Sequence, residues 1–180
     1  MQITGGKYNS RKIKTPDYEN IKPTLSKTRQ GIFNALSSMI DFDDKVFIDL
    51  FSGSGIMSLE AISRGFRAIS FEKDRKTALS IQQNFKSLNL SPELYFGDAL
   101  KNILKINTKA DVIFIDPPYN SNLYEEALDT ILNNNILNKN GIIILEHPTK
   151  KAVNHIGFEL TKTKVYGNKQ ISFLQINLEE

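Results

Sequence analysis

Five short apolar runs, each followed by a helical or turn-rich segment, restrict what this chain can fold into. Val46 to Leu50, Ala68 to Glu72, Tyr95-Phe96, Val112 to Asp116 and Ile142 to Glu146 are strand-like in their β-branched and aromatic content. Between them, Ile56 to Arg64, Arg75 to Leu88, Leu100 to Ile106 and Tyr124 to Leu132 read as helices, with Leu79, Ile81, Phe85 and Leu88 assigned to the packing face of the second. Strands that are almost continuously apolar are buried on both faces, and strands alternating with helices form a parallel sheet covered on both sides. The end of the chain breaks the pattern. Phe158 to Tyr166 and Ile171 to Leu178 alternate apolar and polar residues around Gly167-Asn168, which predicts an antiparallel hairpin. The expected fold is therefore α/β, a mostly parallel seven-stranded sheet closed by a C-terminal hairpin.

The first forty residues stand outside that alternation. Two short extended pieces, around Ile3 and Arg11 to Lys14, flank the turn residues Gly5-Gly6 and Asn9-Ser10, so a hairpin or arm is expected. After Pro16 and Pro23, Thr24 is placed as the N-cap of a helix over 24–40 that packs Ile32, Phe33, Leu36, Met39 and Ile40. Lys27, Arg29 or Gln30, and Asn34 then point outward. The division expected is a basic N-terminal hairpin or arm over 1–23 and a main domain over 24–180 that includes the leading helix.

Ligands of an open parallel sheet bind beyond the carboxyl ends of its strands, so the residues there carry the chemistry. After the first strand come Asp49, Leu50, Phe51, Ser52, Gly53, Ser54 and Gly55. The glycines allow close backbone approach, but Ser58 is a poor match to the third small residue of a dinucleotide fingerprint. Glu72 ends the second strand, where a carboxylate can take both hydroxyls of a ribose. Asp98, with Ala99, is placed to bond an adenine amine or to cap the following helix. There is no phosphate loop of the Gly-x-x-x-x-Gly-Lys type. The three strand ends together specify S-adenosylmethionine rather than ATP or NAD.

The fourth strand ends in Asp116-Pro117-Pro118-Tyr119. A carboxylate followed by two residues without an N–H leaves only acceptors at a strand's end, with an aromatic ring beside them. Such a set can hold an exocyclic amine on Asp116 and the Pro117 carbonyl while its flat ring stacks on Tyr119. His147, beyond the fifth strand, is placed either in the base pocket or in a structural role.

Absences narrow the chemistry further. Without cysteine there is no disulfide, no thiolate metal site and no thiolate to attack a pyrimidine ring. Two histidines do not suggest a zinc site, and no metal is expected. No apolar run is long enough for a transmembrane helix or signal peptide, so a cytoplasmic chain is expected. The net charge of +3 is concentrated at the start, where Lys7, Arg11, Lys12, Lys14, Lys22, Lys27 and Arg29 face only Asp17 and Glu19. That patch suggests a polyanion.

These residues resemble Rossmann-like class I methyltransferases acting on amino groups, and within them the bacterial RsmD family. The resemblance runs through Asp-Leu-Phe-Ser-Gly-Ser-Gly at 49–55, Ser58 to Ala61 with Ser63-Arg64-Gly65, and Phe71-Glu72-Lys73-Asp74. It continues through Gly97-Asp98-Ala99, Asp116 to Tyr119, Glu146-His147-Pro148 and Tyr166-Gly167-Asn168. The resemblance implies methylation of a guanine N2 amine in 16S rRNA of the small ribosomal subunit (the family's target being guanine 966) with S-adenosylhomocysteine as by-product. It implies Asp116, Pro117, Pro118 and Tyr119 as the transfer site. Asp49, Phe51, Ser52, Gly53, Ser54, Gly55, Glu72, Lys73, Asp98 and Ala99 would bind the cofactor. Arg11, Lys12, Lys22, Thr24, Lys27 and Arg29 would meet RNA, either naked or in a subunit particle, and the chain would act as a monomer. Lys22, Ser26, Gln30 and Asn9-Ser10 depart from the family's usual residues, and they bear on the RNA contacts rather than on the cofactor site. Three other readings stay open on the residues: a DNA or RNA adenine-N6 methyltransferase, a protein-glutamine methyltransferase, and an RNA-binding assembly factor without catalysis.

Overall fold

The computed structural model describes residues 1–14, 25–118 and 122–177. In chain order the elements are α1 (Ser26–Leu36), β1 (Val46–Asp49), α2 (Ile56–Ser63), β2 (Arg67–Glu72), α3 (Arg75–Ser87), β3 (Glu93–Phe96), α4 (Ala99–Ile103), β4 (Ala110–Ile115), α5 (Leu123–Asn133), β5 (Leu137–Pro148), β6 (Phe158–Tyr166) and β7 (Lys169–Ile176). They form one seven-stranded sheet in the order β3-β2-β1-β4-β5-β7-β6. The first five strands run parallel, while β7 pairs antiparallel with both β5 and β6. The expected Rossmann-like methyltransferase fold is the one found.

Alternation along each strand sends side chains to two separate cores. Phe47, Val112, Phe114, Ile142, Ile144, Ile171 and Phe173 pack with α1, α2 and α3 on one face. Ile48, Ile113, Ile115, Ile143, Leu145 and Leu174 pack with α4 and α5 on the other. Because both faces are apolar, the strands read as unbroken hydrophobic runs.

Four details differ from expectation. Leu79 is 51% exposed, while α3 buries the expected Ile81 and Phe85 together with Thr77, Ala78 and Asn84. The first helix stops at Leu36, where the Ser37 and Ser38 hydroxyls donate to the carbonyls of Asn34 and Ala35 and compete with the helical ladder. Met39 and Ile40 still lean on the core from the turn beyond it. Strand β5 begins at Leu137, five residues early, because a register shift between Ala110 and Val112 lets Leu137 pair with Ala110.

The fourth concerns the N-terminal segment. Residues 1–14 do form a hairpin, with Ile3 N–H donating to Arg11 and Ser10 N–H donating to Ile3. It is not a free arm, since Ile3 and Ile13 are buried in the same core as Phe33 and Leu59. Gly6, at φ +76°, lies so close to the end of α2 that a Cβ would fall 1.8 Å from the Ser63 carbonyl oxygen. The expected boundary at 23 and the expected cap Thr24 lie outside the described residues, and Leu25 occupies the N-cap position of α1.

Candidate active site

The carboxyl ends of the parallel strands open on a cavity of about 690 Å3. All of the expected cofactor residues line it except Gly55, which sits just behind it at the N-cap of α2. The loop from Asp49 to Gly55 is shaped by its own hydrogen bonds. Ser52 Oγ donates to the Asp49 carbonyl (2.8 Å) and accepts from Phe71 N–H (3.1 Å), stitching the loop to β2. Gly53 and Gly55 have φ values of +52° and +74°, conformations that favour glycine. A Cβ on Gly55 would also meet Ile81 at 3.1 Å.

Asp49 is 1% exposed, and only one of its oxygens is satisfied. Oδ2 accepts from Ser58 N–H (3.2 Å) and Ser58 Oγ (2.9 Å), whereas Oδ1 is buried with no hydrogen-bond partner. Burial pushes the Asp49 carboxyl up to about 7; the bonds from Ser58 pull down and the charge of Glu72 pushes further up. Ser58, which spoiled the dinucleotide fingerprint, thus has a role of its own. Glu72 accepts from Gly53 N–H on one oxygen (2.9 Å) and Asp74 N–H on the other (2.7 Å), and each oxygen keeps a second lone pair. Partial burial raises its pKa against those two bonds. Asp98 caps α4 by accepting from Lys101 N–H (3.1 Å), the second of its two expected roles, and it also lines the cavity.

Asp116, Pro117 and Pro118 line the other half of the same cavity, and Tyr119 lies outside the described residues. The Asp116 pKa is raised well above the ordinary carboxylate value, first by burial, then by Glu146 and more weakly by Asp49, with Lys169 opposing. Neither Glu146 nor Lys169 was singled out for a role from the sequence. Glu146 lies on β5 just past its last pair with β4, and Lys169 Nζ donates to Glu146 Oε1. His147 faces away from the cavity. Its Nε2 is bonded with Ser172 Oγ (3.0 Å), its Nδ1 lies 3.1 Å from the Pro148 carbonyl, and its ring meets Tyr124 edge-on.

The residues assigned to RNA divide. Arg11, Lys12 and Lys27 are exposed, while Lys22 and Thr24 lie outside the described residues. Arg29 contradicts its assignment: it is 1% exposed, and its Nε donates to Glu60 Oε1 at 2.9 Å. A further guanidinium nitrogen donates to the Gln2 carbonyl at 2.6 Å. The cause is Glu60, a fully buried carboxylate that also holds Arg64 and the backbone N–H of Thr4. One more residue joins the N-terminal hairpin to the glycine loop. Asn84 accepts from Lys14 N–H (2.9 Å) and donates to the carbonyls of Lys14 (2.9 Å) and Ser54 (3.3 Å).

Residues 1–175 match the family described as Conserved hypothetical protein 95. The chain belongs to this family, the RsmD family of methyltransferases. Ribosomal RNA small subunit methyltransferase D of Buchnera aphidicola is 34% identical to this RsmD-family chain over 157 residues, spanning 85% of it and 81% of the relative. The protein of the same description from Escherichia coli K12 is 28% identical over 93% of this chain and 85% of its own length. Among solved structures, yhhF from Escherichia coli superposes with a TM-score of 0.85 at 26% identity, covering 99% of each chain. RsmD membership and the fold establish a methyltransferase.

Proposed function

We propose that this chain transfers a methyl group from S-adenosylmethionine to the exocyclic N2 amine of a guanine in 16S rRNA. The observation that carries the reading is the shared cavity: Asp116-Pro117-Pro118 opens on the same space as Asp49, Glu72 and Asp98. The residues present fit the cofactor. Asp49 Oδ1, buried and without a partner, suits the positively charged methionine end; Glu72 suits the ribose and Asp98 with Ala99 the adenine. When bound, S-adenosylmethionine supplies a methyl already activated on a sulfonium.

The protein's own part is alignment. Asp116 and the Pro117 carbonyl accept hydrogen bonds from the amine and turn its lone pair out of conjugation with the ring. Holding two reactants in line is worth roughly 7–11 kcal/mol in favourable cases. Tyr119 holds the extruded base by stacking, at about 1–3 kcal/mol. Lys7, Arg11, Lys12, Lys14 and Lys27, all exposed, form the surface for RNA phosphates. The relatives named for the small-subunit RNA support that substrate and the cytoplasm where it is made, and the chain acts as a monomer on the RNA or on a subunit particle. No helix among the described residues is long and apolar enough to cross a membrane.

The test is incubation with methyl-labelled S-adenosylmethionine and, separately, subunit particles, free 16S rRNA, DNA and protein, followed by digestion to nucleosides. Label in N2-methylguanosine from 16S rRNA is the expected result. Label in N6-methyladenosine or in protein overturns it.

A further inference from the structure

Four charged side chains share one end and one face of the sheet. Residues Phe47, Phe114, Ile144 and Ile171 all project into the core beneath α1, α2 and α3. By alternation, Asp49 at the end of β1, Asp116 just past β4, Glu146 on β5 and Lys169 on β7, each two positions from one of them, point to the same face of the sheet. Ile115 pairs with Leu145 in parallel register, so Asp116 and Glu146 follow side by side beyond the pair. Glu146 is 1% exposed, and Pro148 on the same strand pairs with Lys169. The ammonium of Lys169 reaches Glu146 from there while the side chain lines the same cavity as Asp116.

Two neighbouring carboxylates in a site of low polarity do not both ionise unless a cation stands with them. If one stays protonated, an Asp116 carrying a proton on one oxygen loses acceptor capacity where the amine needs it. Among the described residues, the charges that act on Asp116 are those of Glu146 from β5, Asp49 from β1 and Lys169 from β7, of which Lys169 is the positive one.

We propose that Lys169, fastened by Glu146, is a positioning residue for methyl transfer: its ammonium neutralises the carboxylate pair and keeps Asp116 an acceptor toward the amine. The inference deepens the reading of Asp116 as the amine's partner and rests on it. Glu146 is the anchor, since without it a flexible lysine on the neighbouring hairpin would have no fixed place beside β4.

The test has one readout that needs no substrate and one that does. The first is the pH titration of the Asp116 carboxyl carbon by NMR in the full, ligand-free chain, assigned with Asp116→Asn. The second is kcat and KM for methylation of subunit particles across pH. In Lys169→Met the Asp116 midpoint rises by about one unit or more. There kcat near neutral pH falls roughly tenfold, recovering as pH rises, while KM for S-adenosylmethionine stays within about twofold. Lys169→Arg restores both. Should Lys169→Met not fold, Lys169→Gln, which removes the charge and keeps a polar reach to Glu146, supplies the same measurement with the same rise in the Asp116 midpoint expected. An Asp116 midpoint that ignores these changes overturns the proposal, as does a loss in Lys169→Met with no change in pH profile. A wild-type chain that leaves all RNA unmethylated would strike the proposed reaction alone, because the titration still judges Lys169.

Discussion

Glu60 and Asp49 are both buried carboxylates on the same side of the sheet, eleven positions apart, and they are treated in opposite ways. Glu60 is surrounded by donors: Arg29, Arg64, and the N–H and hydroxyl of Thr4. Asp49 has Ser58 on one oxygen and no partner on the other. The first is a finished piece of structure that fastens the N-terminal hairpin to α2. The second is incomplete until something positive or hydrogen-donating enters the cavity. Of these two buried carboxylates, the one with too few partners is the one that lines the cavity.

That contrast breaks most sharply at Glu60. Arg29→Ala leaves a buried carboxylate short of a counter-charge and is expected to cost roughly 3–5 kcal/mol in chemical denaturation. Affinity for S-adenosylhomocysteine in the fraction that remains folded should be unchanged, and a large loss of it would mean that Arg29 is not purely structural. Next in size is Asp116→Ala, which removes a pre-positioned acceptor and should slow single-turnover methyl transfer by about 100-fold while cofactor binding holds. Near-normal turnover would remove Asp116 from the reaction.

Asp49→Asn sharpens the other side of the comparison. It should weaken cofactor binding by about tenfold, as read by calorimetry, without loss of stability at neutral pH. The pH dependence gives the sign. With Asp49 at about 7 in the folded chain against an ordinary 3.8, the folded state holds a proton that the unfolded state has released between those values. Stability from this group is thus fully present below the lower value and declines as pH rises toward 7. The variant should lose that slope, a difference that thermal melts from pH 4 to 8 will show. The smallest effects belong to the exposed cations: Lys12→Ala and Lys27→Ala should each reduce the salt slope of RNA binding by about one and leave cofactor affinity alone. Substitution is the right tool there, because deleting residues 1–14 would uncover the core that Ile3 and Ile13 fill.

The half of the cavity around Asp49 was readable from the sequence because it is local. Asp49, Gly53 and Gly55 lie within seven consecutive residues, Glu72 ends β2, and Asp98 follows β3 by two residues. Residues that act through register were not readable. Lys169 comes near Asp116 only because β7 turns back antiparallel against β5, and sequence spacing says nothing of that pairing. Glu146 carried a signal that went unused, as another carboxylate at the end of a parallel strand. Arg29 misled because its neighbours Lys27 and Gln30 are exposed, and the partner that draws it inward, Glu60, lies thirty-one residues away. His147 was open to either role until Ser172 and Tyr124 were seen to hold it on the far side of β5.

The side-chain amide of Asn84 touches Lys14 with its oxygen and Ser54 with its nitrogen, so the end of the N-terminal hairpin and the glycine loop share one rigid planar group. Energy exchanged through such a group is symmetric. If filling the cavity steadies Ser54, Lys14 is steadied by the same free energy, and a polyanion that fixes the chain at Lys14 returns the favour to the loop. Order of addition would then matter to rates but not to the final affinities, and a single amide on α3 would set how large that mutual benefit can be.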